Sequence, residues 1–313
     1  MQYYFAPMEG LTDSVYRRLH HKYFPGIHRY YMPFLSPTVH RCLTPREIRE
    51  LPPADTEDFY AVPQLMTRCA DDFVWAAQQC ADLGYQEVNL NAGCPSGTVV
   101  SKGKGSGMLG DPDALALFLD EVCSRSPLPV SVKTRLGISN SDEFPALLEI
   151  YNQYPLCELI VHPRVRKQFY DGAVDKQMFS YAVENSKIPL CYNGNLASLK
   201  DIAAIEAEYP PVSAVMLGRG LISDPGMVSP GGTSSEALAA FMEELLDTYI
   251  EVFGSGRNAM FRLKENWSFL LPRISGGEKL GKQLRKTTDL SQFRSISKEL
   301  LKLPLPEDWS PNW

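Results

Sequence analysis

Eight short apolar runs, separated by longer segments of helical spacing, constrain this chain more than any other feature. The runs are Tyr3–Ala6, His28–Met32, Tyr60–Leu65, Glu87–Leu90, Val130–Lys133, Leu159–His162, Leu190–Asn193 and Ala214–Leu217. Between them, segments such as Ala70–Leu83, Pro112–Arg125, Glu143–Tyr154 and Leu199–Tyr209 have helical spacing. Pro112 stands near the start of its segment, where a helix has no use for the missing N–H. Strands that alternate with helices imply parallel β/α units. Eight such units in about 220 residues match the length of a TIM (β/α)8 barrel. A doubly wound open sheet is the competing architecture. The strand count, and the lack of a Gly-x-Gly-x-x-Gly turn after the first run, count against it.

The pattern changes near Asp224. The stretch Asp224-Pro225-Gly226-Met227-Val228-Ser229-Pro230-Gly231-Gly232-Thr233-Ser234-Ser235 has the composition of a linker. After it, Glu236–Phe253, Asn258–Leu271, Glu278–Lys286 and Leu290–Leu301 read as helices, with Phe241, Leu245, Leu246 and Tyr249 on one face. The expected organisation is a barrel over residues 1–225, a linker over 226–236 and a small all-α domain over 237–313.

No apolar run approaches the length of a membrane span, and the first residues lack the pattern of a signal peptide. The seven cysteines are scattered and never spaced Cys-x-x-Cys, which fits a reducing cytoplasm better than a disulfide framework or a zinc site. The five histidines form no ligand set with plausible carboxylates, so no metal is expected. No Gly-x-Ser-x-Gly turn supports a hydrolase. The net charge of −6 argues at first against a nucleic-acid partner. A global charge averages the whole surface, however, and local patches escape it.

A TIM barrel carries its function on the loops after the strands' C-terminal ends. The first strand ends in Ala6-Pro7-Met8-Glu9-Gly10, small and rigid enough for a flat ligand to lie against the backbone, or simply a plain turn. Gln64 ends the third; a neutral amide suits an imide-like ring edge, or a buried structural role. The fourth gives Asn91-Ala92-Gly93-Cys94-Pro95, a thiol set in a turn; it can act as acid or nucleophile, or pack as a small hydrophobe. The glycine- and lysine-rich stretch 102–110 that follows reads as a mobile flap, a phosphate-contacting loop or a disordered surface loop. Lys133-Thr134-Arg135, His162-Pro163-Arg164, Asn193-Gly194-Asn195 and Gly218-Arg219-Gly220 close the remaining strands. The last two sit where this fold usually grips phosphate.

These pieces together resemble the dihydrouridine synthase family over nearly the whole chain, the Asn-x-Gly-Cys-Pro element most specifically. The resemblance implies an FMN-bearing barrel, a helical RNA-binding domain, tRNA as partner and NADPH as source of electrons. It implies that Cys94 is the catalytic acid. It also implies that Pro7, Met8 and Glu9 support the flavin ring, that Gln64 and Lys133 contact it and that His162 lies beside it. Asn193, Gly194, Asn195, Gly218 and Arg219 would grip the phosphate, and Asn91, Arg135 and Arg164 would face the uridine. The chain departs from the family pattern at Asn195, often acidic, and at Pro163, often glycine.

The activity so implied is reduction of the uridine C5–C6 bond in tRNA to 5,6-dihydrouridine, in a cytoplasmic monomer. The acidic net charge is answered locally. Between Gly254 and Pro304, eleven basic residues face four acidic ones, a surplus of +7 on a chain of −6. That asymmetry suits an RNA-docking surface. The rival functions are a flavin barrel acting on a free pyrimidine such as dihydroorotate, and a non-catalytic RNA-binding barrel.

Overall fold

The computed structural model describes residues 1–306 and Trp309. Residues 307–308 and 310–313, at the end of the expected helical domain, lie outside the described residues. Nine parallel strands form one sheet: β1 (Gln2–Phe5), β2 (Arg29–Tyr31), β3 (Ala61–Val62), β4 (Gln64–Leu65), β5 (Val88–Ala92), β6 (Val130–Arg135), β7 (Glu158–His162), β8 (Leu190–Tyr192) and β9 (Ala214–Leu217). Their order is β3-β2-β1-β9-β8-β7-β6-β5-β4. The two ends of that order, β3 and β4, are halves of one run interrupted by Pro63, so the sheet closes into a TIM barrel. Proline has no N–H for the ladder, which is why eight expected strands appear as nine. Its carbonyl still accepts from the Asn89 N–H at 2.9 Å.

Outside the ring lie α1 (Ser14–Tyr23), α2 (Pro45–Glu50), α3 (Ala70–Asp82), α4 (Gly97–Val100), α5 (Pro112–Arg125), α6 (Phe144–Tyr151), α7 (Lys176–Asn185), α8 (Leu199–Glu208) and α9 (Arg219–Ser223). The α5 helix starts as its sequence asks: Asp111 caps the Ala114 N–H at 3.1 Å and Pro112 follows. The α1 helix buries two polar residues. Arg17 reaches the Thr12 carbonyl and Glu50, and His20 lies between the Tyr30 hydroxyl and the Pro225 carbonyl, each at 2.9 Å.

The remaining helices are α10 (Ser235–Phe253), α11 (Gly256–Leu270), α12 (Glu278–Lys286) and α13 (Leu290–Leu300). Phe241 of α10 meets Tyr16 and Phe24 edge to face at 5.4 Å each, and Tyr249 donates to Asp13, the cap of α1, at 2.9 Å. Trp267, Phe293 and Leu300 belong to the same apolar core as Leu119 and Leu147 of the barrel's outer layer. The connection 224–236 has a linker's composition but is held fast. Asp224 pairs with Arg273 and accepts from Thr233, and Ser229 donates to the Pro25 carbonyl at 2.6 Å. A Cβ on Gly226 would run into the Gly232 carbonyl oxygen, so the turn tolerates only glycine there.

The barrel interior is layered by the strand period of two. Asn89 and Asn91 of β5 pair in register with Ser131 and Lys133 of β6. Below them lie Glu87 and Glu158, with Tyr4 and Tyr31. Apolar Ile160, Cys191, Ala214 and Met216 fill the rest.

Candidate active site

One cavity of about 370 Å³ opens at the strands' C-terminal ends. The loop after β1 lines it with Pro7, Met8 and Glu9, and β5 and its turn add Asn91 and Cys94. Lys133 and Arg135 come from β6, and His162 from β7. The last two strand ends supply Asn193, Gly194, Asn195, Gly218 and Arg219. Residues that the sequence scatters over more than two hundred positions are thus brought to one surface. Cys94 is half-buried on that wall.

The Cys94 turn is tied from both sides. Asn91 Oδ1 accepts from the N–H groups of Gly93 and Cys94 at 3.1 and 2.9 Å. The Cys94 carbonyl accepts from the Ser106 N–H at 3.1 Å and hydroxyl at 2.8 Å. Ser106 lies in the short helix Gly105–Gly110, inside the stretch 102–110 that reads from sequence as a flap or loose loop. Its Gly105, Ser106, Met108 and Leu109 are buried, and a Cβ on Gly105, at φ +58°, would meet the Cys94 carbonyl at 2.9 Å. The glycines here allow close packing beneath Cys94.

The wall is cationic. Burial, with Arg135 nearby, lowers the Lys133 pKa to about 8. Burial likewise lowers Arg135 to about 10. Arg135 Nε donates to the Gly93 carbonyl at 2.9 Å and its Nη1 to the Val165 carbonyl at 3.2 Å. His162 is held well below its ordinary pKa by burial and then by Arg135 and Lys133. Arg164 Nη1 lies 3.0 Å from His162 Nε2. Arginine only donates, so Nε2 accepts and the neutral ring carries its proton on Nδ1. Glu9 is the one carboxylate residue lining the cavity among the described residues, and it pairs with Arg46.

Two expected site residues stand behind the wall. Gln64 is fully buried, donating to Asn89 and accepting from Asn91, each at 2.8 Å. Arg164 is 1% exposed and commits its guanidinium to His162, the Gly172 carbonyl and Asn195. Asn195 sits at φ +49°, a conformation asparagine tolerates, and its Oδ1 also accepts from Arg219 at 3.4 Å.

Sequence reasoning missed Phe34, Tyr170 and Phe269 on the cavity wall. The Tyr170 ring lies 5.3 Å from the guanidinium carbons of both Arg135 and Arg219. Phe269 comes from α11, so the C-terminal helices help build the mouth. Glu87 and Glu158 were missed too, because they lie at the opposite ends of their strands.

No group of three or more His, Cys, Asp or Glu side chains among the described residues is placed to hold a metal ion. No helix among them is long and apolar enough to cross a membrane.

Known proteins of the same shape include morphinone reductase, with a TM-score of 0.51 over 72% of this chain and 84% of that one, at 12% identity. That likeness concerns the fold alone. A protein of Synechocystis sp. named probable tRNA-dihydrouridine synthase 1 is 30% identical, covering 93% of this chain and 84% of its own. A probable tRNA-dihydrouridine synthase of Rickettsia bellii is 27% identical over 79% of this chain and 76% of its own. The sequence profile of the dihydrouridine synthase (Dus) family matches residues 4–255. The chain belongs to the dihydrouridine synthase family.

Proposed function

We propose that this protein reduces the C5–C6 double bond of uridines in tRNA to 5,6-dihydrouridine, with FMN as cofactor, NADPH as electron source and Cys94 as proton donor. The observation that carries the reading is that Cys94 and the cations Lys133, Arg135 and Arg219 line one cavity at the barrel mouth. The Synechocystis and Rickettsia relatives bear names that specify the RNA class.

The donor set fits an FMN. Its phosphate and its reduced ring are anionic, and the wall offers Lys133 and Arg135, whose pKa values burial lowers. Asn193, Gly194, Asn195, Gly218 and Arg219 would hold the phosphate. The backbone of Pro7, Met8 and Glu9, with Lys133 and His162, would hold the ring. Gln64, through its amide, and Arg164, through its two Nη atoms, would serve as supports for Asn91 and His162. When bound and reduced, FMN supplies the hydride that uridine C6 receives.

Cys94 gives a proton to C5, and its sulfur regains one from solvent. A thiol, ordinarily protonated at neutral pH, suits that task. Arg135 and Asn91 orient the base, and Tyr170 offers it an aromatic face. The uridine must leave its stack to enter such a mouth, so a flexible RNA loop is the substrate region.

Residues 1–225 act as the catalytic barrel, and 237–313, joined through 226–236, as the RNA-docking part. Of the eleven cations between Gly254 and Pro304, Arg262, Arg273, Arg294 and Lys298 are ion-paired within the protein. Lys279, Lys282, Arg285 and Lys286 stand exposed on α12, which makes that helix the docking face. The seven free cysteines suit the cytoplasm, where the protein would act as a monomer.

Cys94→Ala should keep its flavin and lose uridine reduction by several orders of magnitude. Dihydrouridine formed by that variant at the wild-type rate would end the proton-donor assignment. Turnover of free uridine or dihydroorotate, with none on tRNA, would end the substrate assignment.

A further inference from the structure

A line of hydrogen bonds runs up the barrel interior from its floor to the Cys94 turn, and its direction is fixed at both ends. At the top, the N–H groups of Gly93 and Cys94 can only donate, and they meet Asn91 Oδ1 at 3.1 and 2.9 Å. That turns the Asn91 amide nitrogen toward Gln64, whose Oε1 accepts at 2.8 Å. Gln64 then has its own nitrogen for Asn89 Oδ1, at 2.8 Å. Asn89 in turn donates to Ser131 Oγ at 2.8 Å. Having accepted, Ser131 sends its O–H to Glu87 Oε1 at 2.6 Å. At the floor an ionised carboxylate can only accept, and Arg29 occupies its other oxygen at 2.9 Å.

Every amide in the line has its orientation dictated by its neighbour. Reversing one would set donor against donor at one end and acceptor against acceptor at the other. Asn91 is 7% exposed and the others at most 3%, so water cannot repair a reversed link. The two ends demand the same direction, and no link is frustrated.

We propose that Glu87, Ser131 and Asn89 are positioning residues, acting through Gln64 and Asn91 to hold the Cys94 turn at the cavity wall. None of the three lines the cavity. The inference rests on the reading of Cys94 as proton donor. The line aligns groups and carries no proton, because each amide keeps its own hydrogens.

The test uses the full-length holoprotein. Asn89→Asp offers only acceptors where a donor stood, so Ser131 must choose between two carboxylates. Adding Glu87→Gln restores a closed line at the original net charge: the amide now at position 87 donates to Ser131, and Ser131 donates to the carboxylate now at position 89. Asn89→Asp should lower kcat for uridine reduction about tenfold, equivalent to about 1.4 kcal/mol. KM for tRNA, flavin content and flavin reduction by NADPH should stay unchanged. Alkylation of Cys94, followed by peptide mass mapping, should change rate in the single variant. In the double variant, kcat and alkylation should both return to within about threefold of wild type, since the same hydrogen-bond count is recovered.

Wild-type kcat in Asn89→Asp overturns the inference. So does a double variant no better than the single one, including the case where the single variant loses flavin. Cys94→Ala separates the two claims. If it destroys turnover while Asn89→Asp is harmless, the positioning role alone fails. If it is harmless itself, the proton-donor reading fails.

Discussion

The floor and the mouth of the barrel interior treat buried charge in opposite ways. At the floor, Arg29 stands 2.9 Å from Glu87 and 3.7 Å from Glu158, and the hydroxyls of Tyr4, Tyr31 and Ser131 satisfy the carboxylates. Burial raises both glutamate pKa values, and Arg29 pulls them back. At the mouth, Lys133, Arg135, His162 and Arg164 crowd together; burial lowers the pKa of each, and neighbouring cations add to this for Lys133, Arg135 and His162. The floor pairs its cation with two carboxylates, whereas Glu9 is the one carboxylate residue lining the mouth's cavity among the described residues. A barrel can be stable at one end and functional at the other because the two ends are separate layers.

Removing the floor's cation should have the largest effect on stability. Arg29→Met strands two buried carboxylates and should cost about 3–5 kcal/mol. The loss should grow as pH rises, because Glu87 and Glu158 must then ionise without their partner, and shrink in acid where they are protonated. Urea unfolding at pH 5 and pH 8 checks both parts. An equal loss at the two pH values would show that Arg29 acts there through packing.

The mouth should respond through affinity instead. Lys133→Gln should leave the thermal midpoint of the flavin-free protein unchanged or higher, since a costly buried cation is gone. Its flavin affinity should fall about ten- to a hundredfold, as expected for losing about 1.5–3 kcal/mol of charged hydrogen bonding. Lys133 is charged below about pH 8 and neutral above, so wild-type flavin affinity should weaken as pH rises through that value. Lys133→Arg should flatten the profile. Flavin titrations across that range give the answer, and a pH-independent wild type would remove Lys133 from the anion site.

The smallest effect belongs to α12, whose cations are solvated. Lys282→Gln should weaken tRNA binding a few-fold and lower the slope of log affinity against log salt by about 1. An unchanged slope would move the docking face elsewhere on the helices.

Much of this was legible in the sequence. Strand ends announce themselves because a run such as Val130–Lys133 must be followed by a mouth loop, and polar residues there have few other reasons to exist. The α1 helix was harder, since Arg17 and His20 lie on its buried face and break the apolar spacing. Within 102–110 the packing of Gly105, Ser106, Met108 and Leu109 was hidden, because glycine signals freedom and tight approach alike. Tyr170 and Phe269 reach the cavity through loop path and helix docking, which no local pattern encodes. Glu87 and Glu158 stand at strand starts, and only the closed ring shows that they share Arg29.

The fastened connection after Asp224 has a practical consequence. Its composition invites an experimenter to cut there and express the barrel alone. Such a fragment would lose Phe241 and Tyr249 from the face of α1, Arg273 from Asp224 and Phe269 from the cavity wall. The bare apolar face would favour aggregation. Barrel and helices should therefore melt in one cooperative transition, and subtler cuts than truncation are needed to part their roles.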